Sequence, residues 1–214
     1  MTKNGFDVLM ISAEGKELPA VIENEKCRHI IVPMTRKITP FRDLACFFKL
    51  ISIFRKEKPD IVHTHTPKAG LLGMLAARYC GIKVRIHTVA GLPMMTAKGL
   101  KFQLLKITEK ITYAAANHVW PNSNSLLRYI IANHLSYSKK TNIIAKGSTN
   151  GIDLNRFSAA ALDEKIIADT RAKVNYSAQN KYLLYIGRLV TGNSMAPACN
   201  NTFGNPSLRE GKIK

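Results

Sequence analysis

The chain has 214 residues, 46% of them hydrophobic, which is enough to bury a core and excludes a disordered or low-complexity protein. Its 32 Lys and Arg against 14 Asp and Glu leave a formal net charge of +18, so an anionic partner is expected: nucleic acid, an anionic membrane surface or a phosphorylated substrate. No stretch resembles a membrane span or a signal peptide, and the four cysteines (Cys27, Cys46, Cys80, Cys199) lie apart without a CxxC pair, which predicts a reduced, cytoplasmic protein with peripheral membrane attachment left open.

Short apolar runs rich in β-branched residues alternate with longer helical patterns, the order of βαβ units around a mostly parallel sheet. Residues 6–12 (FDVLMIS) and 28–33 (RHIIVP) read as the first two strands. From 40 to 58, Leu44, Phe47, Phe48, Ile51 and Phe54 recur at helical spacing, and Pro59 closes that helix before a strand at 60–65 (DIVHTH). The small-residue run 69–79 (AGLLGMLAARY) suits a helix lying close on the sheet, ended at Gly81, where a left-handed residue is wanted.

A strand at 83–89 (KVRIHTV), a long helix at 98–117, a strand at 118–121, a helix from Ser123 and a strand at 141–146 complete this pattern. After residue 149 the chain turns polar, with a helix near 159–173 and one apolar strand at 182–186. The expected organisation is a Rossmann-like α/β domain over 1–150, a link and the first strand of a second domain over 151–190, and an irregular tail over 191–214.

Ligands of open α/β sheets gather beyond the carboxyl ends of the strands, so polar residues there are candidates. His63 and His65, two apart on one strand, point to the same side. Their choices are packing or capping of the next helix against lining a cleft; metal binding needs a further ligand that the sequence does not offer. His87 is placed to donate a hydrogen bond to a sugar hydroxyl or phosphate oxygen, or to be satisfied by its own loop, and Gly91 lets a ligand approach the backbone.

In the helix at 98–117, Leu100, Leu104, Ile107, Ile111 and Ala114 form one stripe, expected to face the core. Lys98, Lys101, Phe102, Leu105, Lys106 and Lys110 share the other side, a surface suited to anionic lipid or simply a solvated face. Arg188, after the strand at 182–186 and beside Gly187, has the chemistry to hold a diphosphate with paired hydrogen bonds.

Taken in order, PDIVHTHTPKAGLLG from Pro59, RIHTVAGL from Arg85, PNSNS from Pro121, STNGIDLNRF from Ser148 and LLYIGRL from Leu183 resemble the family-four, GT-B type retaining glycosyltransferases over about residues 5–190. The Asn-Gly-Ile-Asp at 150–153 is similar to the family's link between its two Rossmann-like domains. The resemblance implies transfer of a sugar from a UDP- or GDP-linked donor to a lipid-linked or surface-polysaccharide acceptor, with no further cofactor and no metal.

It further implies that His87 is the catalytic-site histidine near the reacting sugar, that Arg188 binds the donor diphosphate, and that His65, Lys68 and Asn124 line the acceptor cleft. Two departures stand out: the family's first strand and glycine-rich loop have no counterpart before Phe6, and after Val190 its lysine, nucleotide pocket and paired glutamates are absent. The expectation is therefore a chain truncated at both ends and inactive alone. The alternative is a basic, non-catalytic module on anionic membrane or nucleic acid, with nucleic acid disfavoured by the lack of any fold signature for it.

Overall fold

The structure, a computed structural model, describes residues 4–35, 37–148, 153–155, 157–180 and 182. It divides into two compact units, residues 1–151 and 152–214. The first contains β1 (Leu9–Ser12), α1 (Leu18–Glu25), β2 (Arg28–Ile31), α2 (Pro40–Glu57), β3 (Ile61–Thr64) and α3 (Pro67–Tyr79). It continues through β4 (Val84–Val89), a 3-10 turn at Pro93–Thr96, α4 (Gly99–Ala115), β5 (His118–Pro121), α5 (Asn124–Ala132) and a 3-10 turn at Ser138–Lys140.

All strand pairs are parallel, but the described strands form two sheets, β1–β2 and β3–β4–β5, with α2 crossing from one to the other. The expected α/β class holds, with sheets flanked by helices. α1, which the sequence pattern did not reveal, carries no buried residue. The strand expected at 141–146 shrinks to one bridge between Val119 and Thr141, because Ala145 takes φ 51° and the chain turns back through Gly147 at φ 84°.

α2 begins at Pro40, whose fixed φ suits a first helical turn, and ends on Lys58 in a left-handed conformation just before Pro59. α3 packs against α2 and against α4. It also approaches the sheet closely: a Cβ on Gly73 would lie 2.9 Å from the Thr64 methyl, and one on Gly70 would lie 2.4 Å from His87 Cε1. The small-residue run thus sets the helix-to-sheet distance. Val32, Met74, Tyr113, Val119 and Ile130 are fully buried in this core, and removing such side chains from water contributes about 1.5–3 kcal/mol each.

α4 reverses its expected orientation. Phe102 and Leu105 pack against the core and Glu109, Thr112 and Tyr113 are buried, whereas Leu100, Leu104, Ile107 and Ile111 are exposed. Its carboxyl end is held by three basic side chains. Arg78 donates to the Ala114 carbonyl (3.1 Å), Arg85 Nε to that of Ala115 (2.6 Å), and Lys140 to those of Tyr113 and Ala116. Cations at this end satisfy the last carbonyls and oppose the negative pole of the helix dipole, so part of the +18 charge is structural.

In the second unit the described residues include a 3-10 turn at Ala159–Ala161 and α6 (Glu164–Lys173). Asp163 caps α6, its carboxylate accepting from the Lys165 N–H at 2.8 Å. Most of the domain link at 150–153 and of the strand at 182–186, and all of the tail at 191–214, lie outside the described residues.

Candidate active site

The carboxyl ends of β3, β4 and β5 stand along one edge of the larger sheet, followed by Thr66, Gly91 and Ser123 in turn. α3 and α5 begin at this edge, and their unpaired N–H groups give it a positive field suited to phosphate. Ser123 caps α5 by accepting from the Leu126 N–H at 3.3 Å. Asn122 ties the edge together: its N–H donates to the Val89 carbonyl (3.1 Å) and its side-chain amide to that of Ala90 (3.2 Å). The Ser148 N–H in turn donates to the Asn122 carbonyl at 2.8 Å. A Cβ on Gly91 would meet nothing within 4 Å, so the backbone there is open.

His65 is exposed just past the end of β3. Its ring centroid lies 4.1 Å from that of His63, as their shared side requires. His63 Nε2 is 2.7 Å from Thr88 Oγ1, and the His63 ring meets Trp120 edge-on at 5.5 Å. Burial, then the neighbouring His65, pushes the His63 pKa down to about 4, and burial also lowers that of His65. Both rings are neutral near pH 7 and offer hydrogen bonds rather than charge. Among the described residues no group of three or more His, Cys, Asp or Glu is placed to hold a metal ion.

His87 lies on the opposite face of the sheet. It is 2% exposed, with Nδ1 2.8 Å from Thr64 Oγ1 and its ring under Gly70 and 5.7 Å from the Tyr113 ring. Burial, followed by His65 and His63, brings its pKa to about 4. A ring sealed between strand and helix touches no substrate, so direct contact with the reacting sugar is replaced by a positioning role. The reason is parity: Thr64 and His87 are register partners on the helix-covered side, as His63 and His65 are not.

Lys68 also turns inward. Its ammonium pairs with Asp43 at 2.7 Å, donates to the Lys37 carbonyl, and lies 3.4 Å from both Thr35 and Thr39 hydroxyls. Its three N–H groups are therefore consumed in fastening the loop before α2, and the expected substrate-lining role is corrected to a clamp. Burial raises the Asp43 pKa, but hydrogen bonds from Lys68 and Thr39 prevail and hold it below 3.8. Lys68→Met, which keeps the stem, is expected to lower stability by about 1–2 kcal/mol in urea denaturation. The loss is expected near neutral pH and to vanish as Asp43 protonates below its ordinary carboxylate range.

Asn124 is exposed at the first residue of α5, on the same edge as His65. Arg188 lies outside the described residues. The reading of the sequence missed Thr88, Trp120 and Asn122. Strand alternation in HVWP followed by asparagine was the available signal, since it puts Trp120 beside Thr88 and hence next to His63.

Comparison with known proteins decides the ancestry of this edge: residues 1–146 match the family described as Glycosyl transferase 4-like. The chain belongs to that family. It is 37% identical over 190 residues to the Staphylococcus aureus capsular polysaccharide biosynthesis glycosyltransferase CapM, covering 89% of this chain and 48% of that protein. It is 29% identical over 167 residues to an Escherichia coli UDP-Gal:alpha-D-GlcNAc-diphosphoundecaprenol alpha-1,3-galactosyltransferase, covering 76% and 42%. The chain thus spans about half the length of the relatives it matches.

Among solved structures, a glycosyltransferase from Rickettsia africae superposes with a TM-score of 0.61 at 21% identity, covering 83% of this chain and 44% of that one. Anabaena HepE in complex with UDP-glucose superposes with a TM-score of 0.56 at 14% identity, covering 78% and 42%. These likenesses support the GT-B fold.

Proposed function

We propose that this chain supplies the acceptor-side domain of a glycosyltransferase that moves a sugar from a UDP- or GDP-linked donor to a lipid-linked or surface-polysaccharide acceptor, peripherally at the inner face of the cell membrane. The observation that carries this reading is the edge where exposed His65 and Asn124 stand with the open Gly91 backbone and the N-termini of α3 and α5. Family membership supports transfer, and the relatives' names, one capsular and one acting on a diphosphoundecaprenol-linked sugar, support the acceptor class.

In this reading His65 and Asn124 hydrogen-bond the acceptor sugar, while the helix N-termini face its diphosphate. His87 fixes the end of β3 through Thr64 and orients His65 at one remove. Arg188 is assigned to the donor diphosphate, cationic and helix-terminal groups taking the place of a metal or cofactor. The test is titration of the chain with a short-chain polyprenyl-diphosphate N-acetylglucosamine, followed by calorimetry. His65→Ala and Asn124→Ala are each expected to weaken binding by roughly three- to tenfold, one lost hydrogen bond apiece. Unchanged affinity in both variants rules the edge out as the acceptor site.

A further inference from the structure

From the outward face of α4 we infer a membrane-docking surface: Leu100, Leu104, Ile107 and Ile111 enter the interface of an anionic bilayer while Lys101 and Lys110 meet its headgroups. The inference deepens the peripheral placement proposed above and rests on it. These four aliphatic side chains are between 41% and 88% exposed. At 100° per residue they cluster on the side of α4 opposite Phe102, Leu105, Glu109 and Tyr113, which face the core. α4 is therefore apolar on two opposed faces, and only one of them is covered within the fold. A surface helix that is apolar on its outer face needs something to cover that face.

Charge selects the occupant. Lys101 and Lys110 are exposed and flank the aliphatic stripe on its two sides, with Lys98 preceding the helix. The sole carboxylate of α4, Glu109, is buried, so the outer surface of the helix carries cations alone. An aliphatic strip bordered by lysines matches acyl chains bordered by anionic headgroups, with the long lysine stems lying along the apolar zone. A second copy of the chain would bring the same lysines against one another across a two-fold axis, a like-charge cost that a bilayer does not impose. Lys106 stands apart, its ammonium over the Phe102 ring at 5.9 Å. The lipid-facing surface is thus the stripe that the sequence pattern assigns to the core.

The experiment is co-sedimentation with vesicles of phosphatidylethanolamine and phosphatidylglycerol, against vesicles of phosphatidylcholine alone. Wild-type chain is expected to sediment with the anionic vesicles and to be released as salt rises from about 0.1 M toward 0.5 M. Leu104→Asp with Ile107→Asp is expected to weaken binding at least about tenfold, the order expected for placing charge where apolar contact was. Lys101→Gln with Lys110→Gln should weaken it severalfold and flatten the salt dependence. All these positions are exposed, so far-UV circular dichroism should be unchanged.

Phe41→Asp, on the outward face of α2 (Phe41 is 92% exposed), separates docking through α4 from docking through its neighbour. Full binding by the Leu104/Ile107 variant, or loss of binding in Phe41→Asp alone, overturns the inference. So does a wild-type chain that ignores anionic vesicles but forms a dimer abolished by the Leu104/Ile107 substitutions. Binding of the soluble acceptor analogue is expected to be unchanged in the α4 variants. Failure of that acceptor binding in wild type would instead count against the proposed function, leaving the vesicle result to stand by itself.

Discussion

His87→Gln removes a large share of the acid sensitivity of this fold. In the folded chain His87 is held near pKa 4 by burial, and in the unfolded chain it returns to about 6.5. Between those values the unfolded chain binds a proton that the folded chain refuses, so stability rises with pH across the window and is lost as the pH falls from about 6.5 toward 4. A displacement of this size corresponds to on the order of 3 kcal/mol over the whole window. Urea denaturation at a series of pH values from neutral down to about 4.5 measures it. The glutamine variant is expected to start lower at neutral pH, having lost the imidazole packing under Gly70, yet to lose less on acidification. His63, also near pKa 4, leaves a residual slope. An unchanged slope would mean that the imidazole is solvated in the native state.

Gly70→Ala is the second large effect. A methyl group there would sit 2.4 Å from His87 Cε1 and 2.9 Å from Nδ1, well inside contact distance. Both neighbours are constrained: the ring is bonded to Thr64, and α3 is packed between α2 and α4. Overpacking of this kind costs about 1–3 kcal/mol, against which alanine returns at most about 1 kcal/mol of helix propensity. The expected net loss is about 1–2 kcal/mol at the high end of that range of strain. Adding His87→Ser should relieve it, giving a coupling of roughly 1 kcal/mol or more in a double-mutant cycle. Additive losses would show that helix and strand end are not in contact through this pair.

The order of elements was legible because their signals are local. Pro40 and Pro59 bracket α2, Gly81 takes the left-handed conformation at φ 72°, and Ser123 caps α5. The face of α4 was not. Periodicity ranks Leu100, Leu104, Ile107 and Ile111 as the interior stripe, whereas the fold buries Glu109, Thr112 and Tyr113 instead. The carboxyl of Glu109 is raised by burial, and the buried Tyr113 hydroxyl lacks a well-formed hydrogen bond. A hydropathy pattern cannot anticipate an arrangement in which polar groups are inside.

The site divides in the same way. His65 and Asn124 fall on the open edge because strand ends in α/β sheets are predictable. Lys68 has a partner 25 residues earlier, Asp43, that no local spacing reveals. His87 could have been read correctly by parity with Val62 and Thr64, whose apolar and small side chains mark the covered side of the sheet.

The divided sheet gives this domain more than one stability. β3, β4 and β5 share the helix layer and much of the buried core, while β1 and β2 form a two-stranded ribbon whose connecting helix buries nothing. Such a ribbon forms a separate cooperative unit, opening at lower free energy than the block beside it. Arg28, paired with Asp7 and with Glu57 at the end of α2, and the Lys68 clamp at its beginning are its polar moorings to that block. The weakest part of the molecule is thus also the part whose opening leaves the acceptor edge intact.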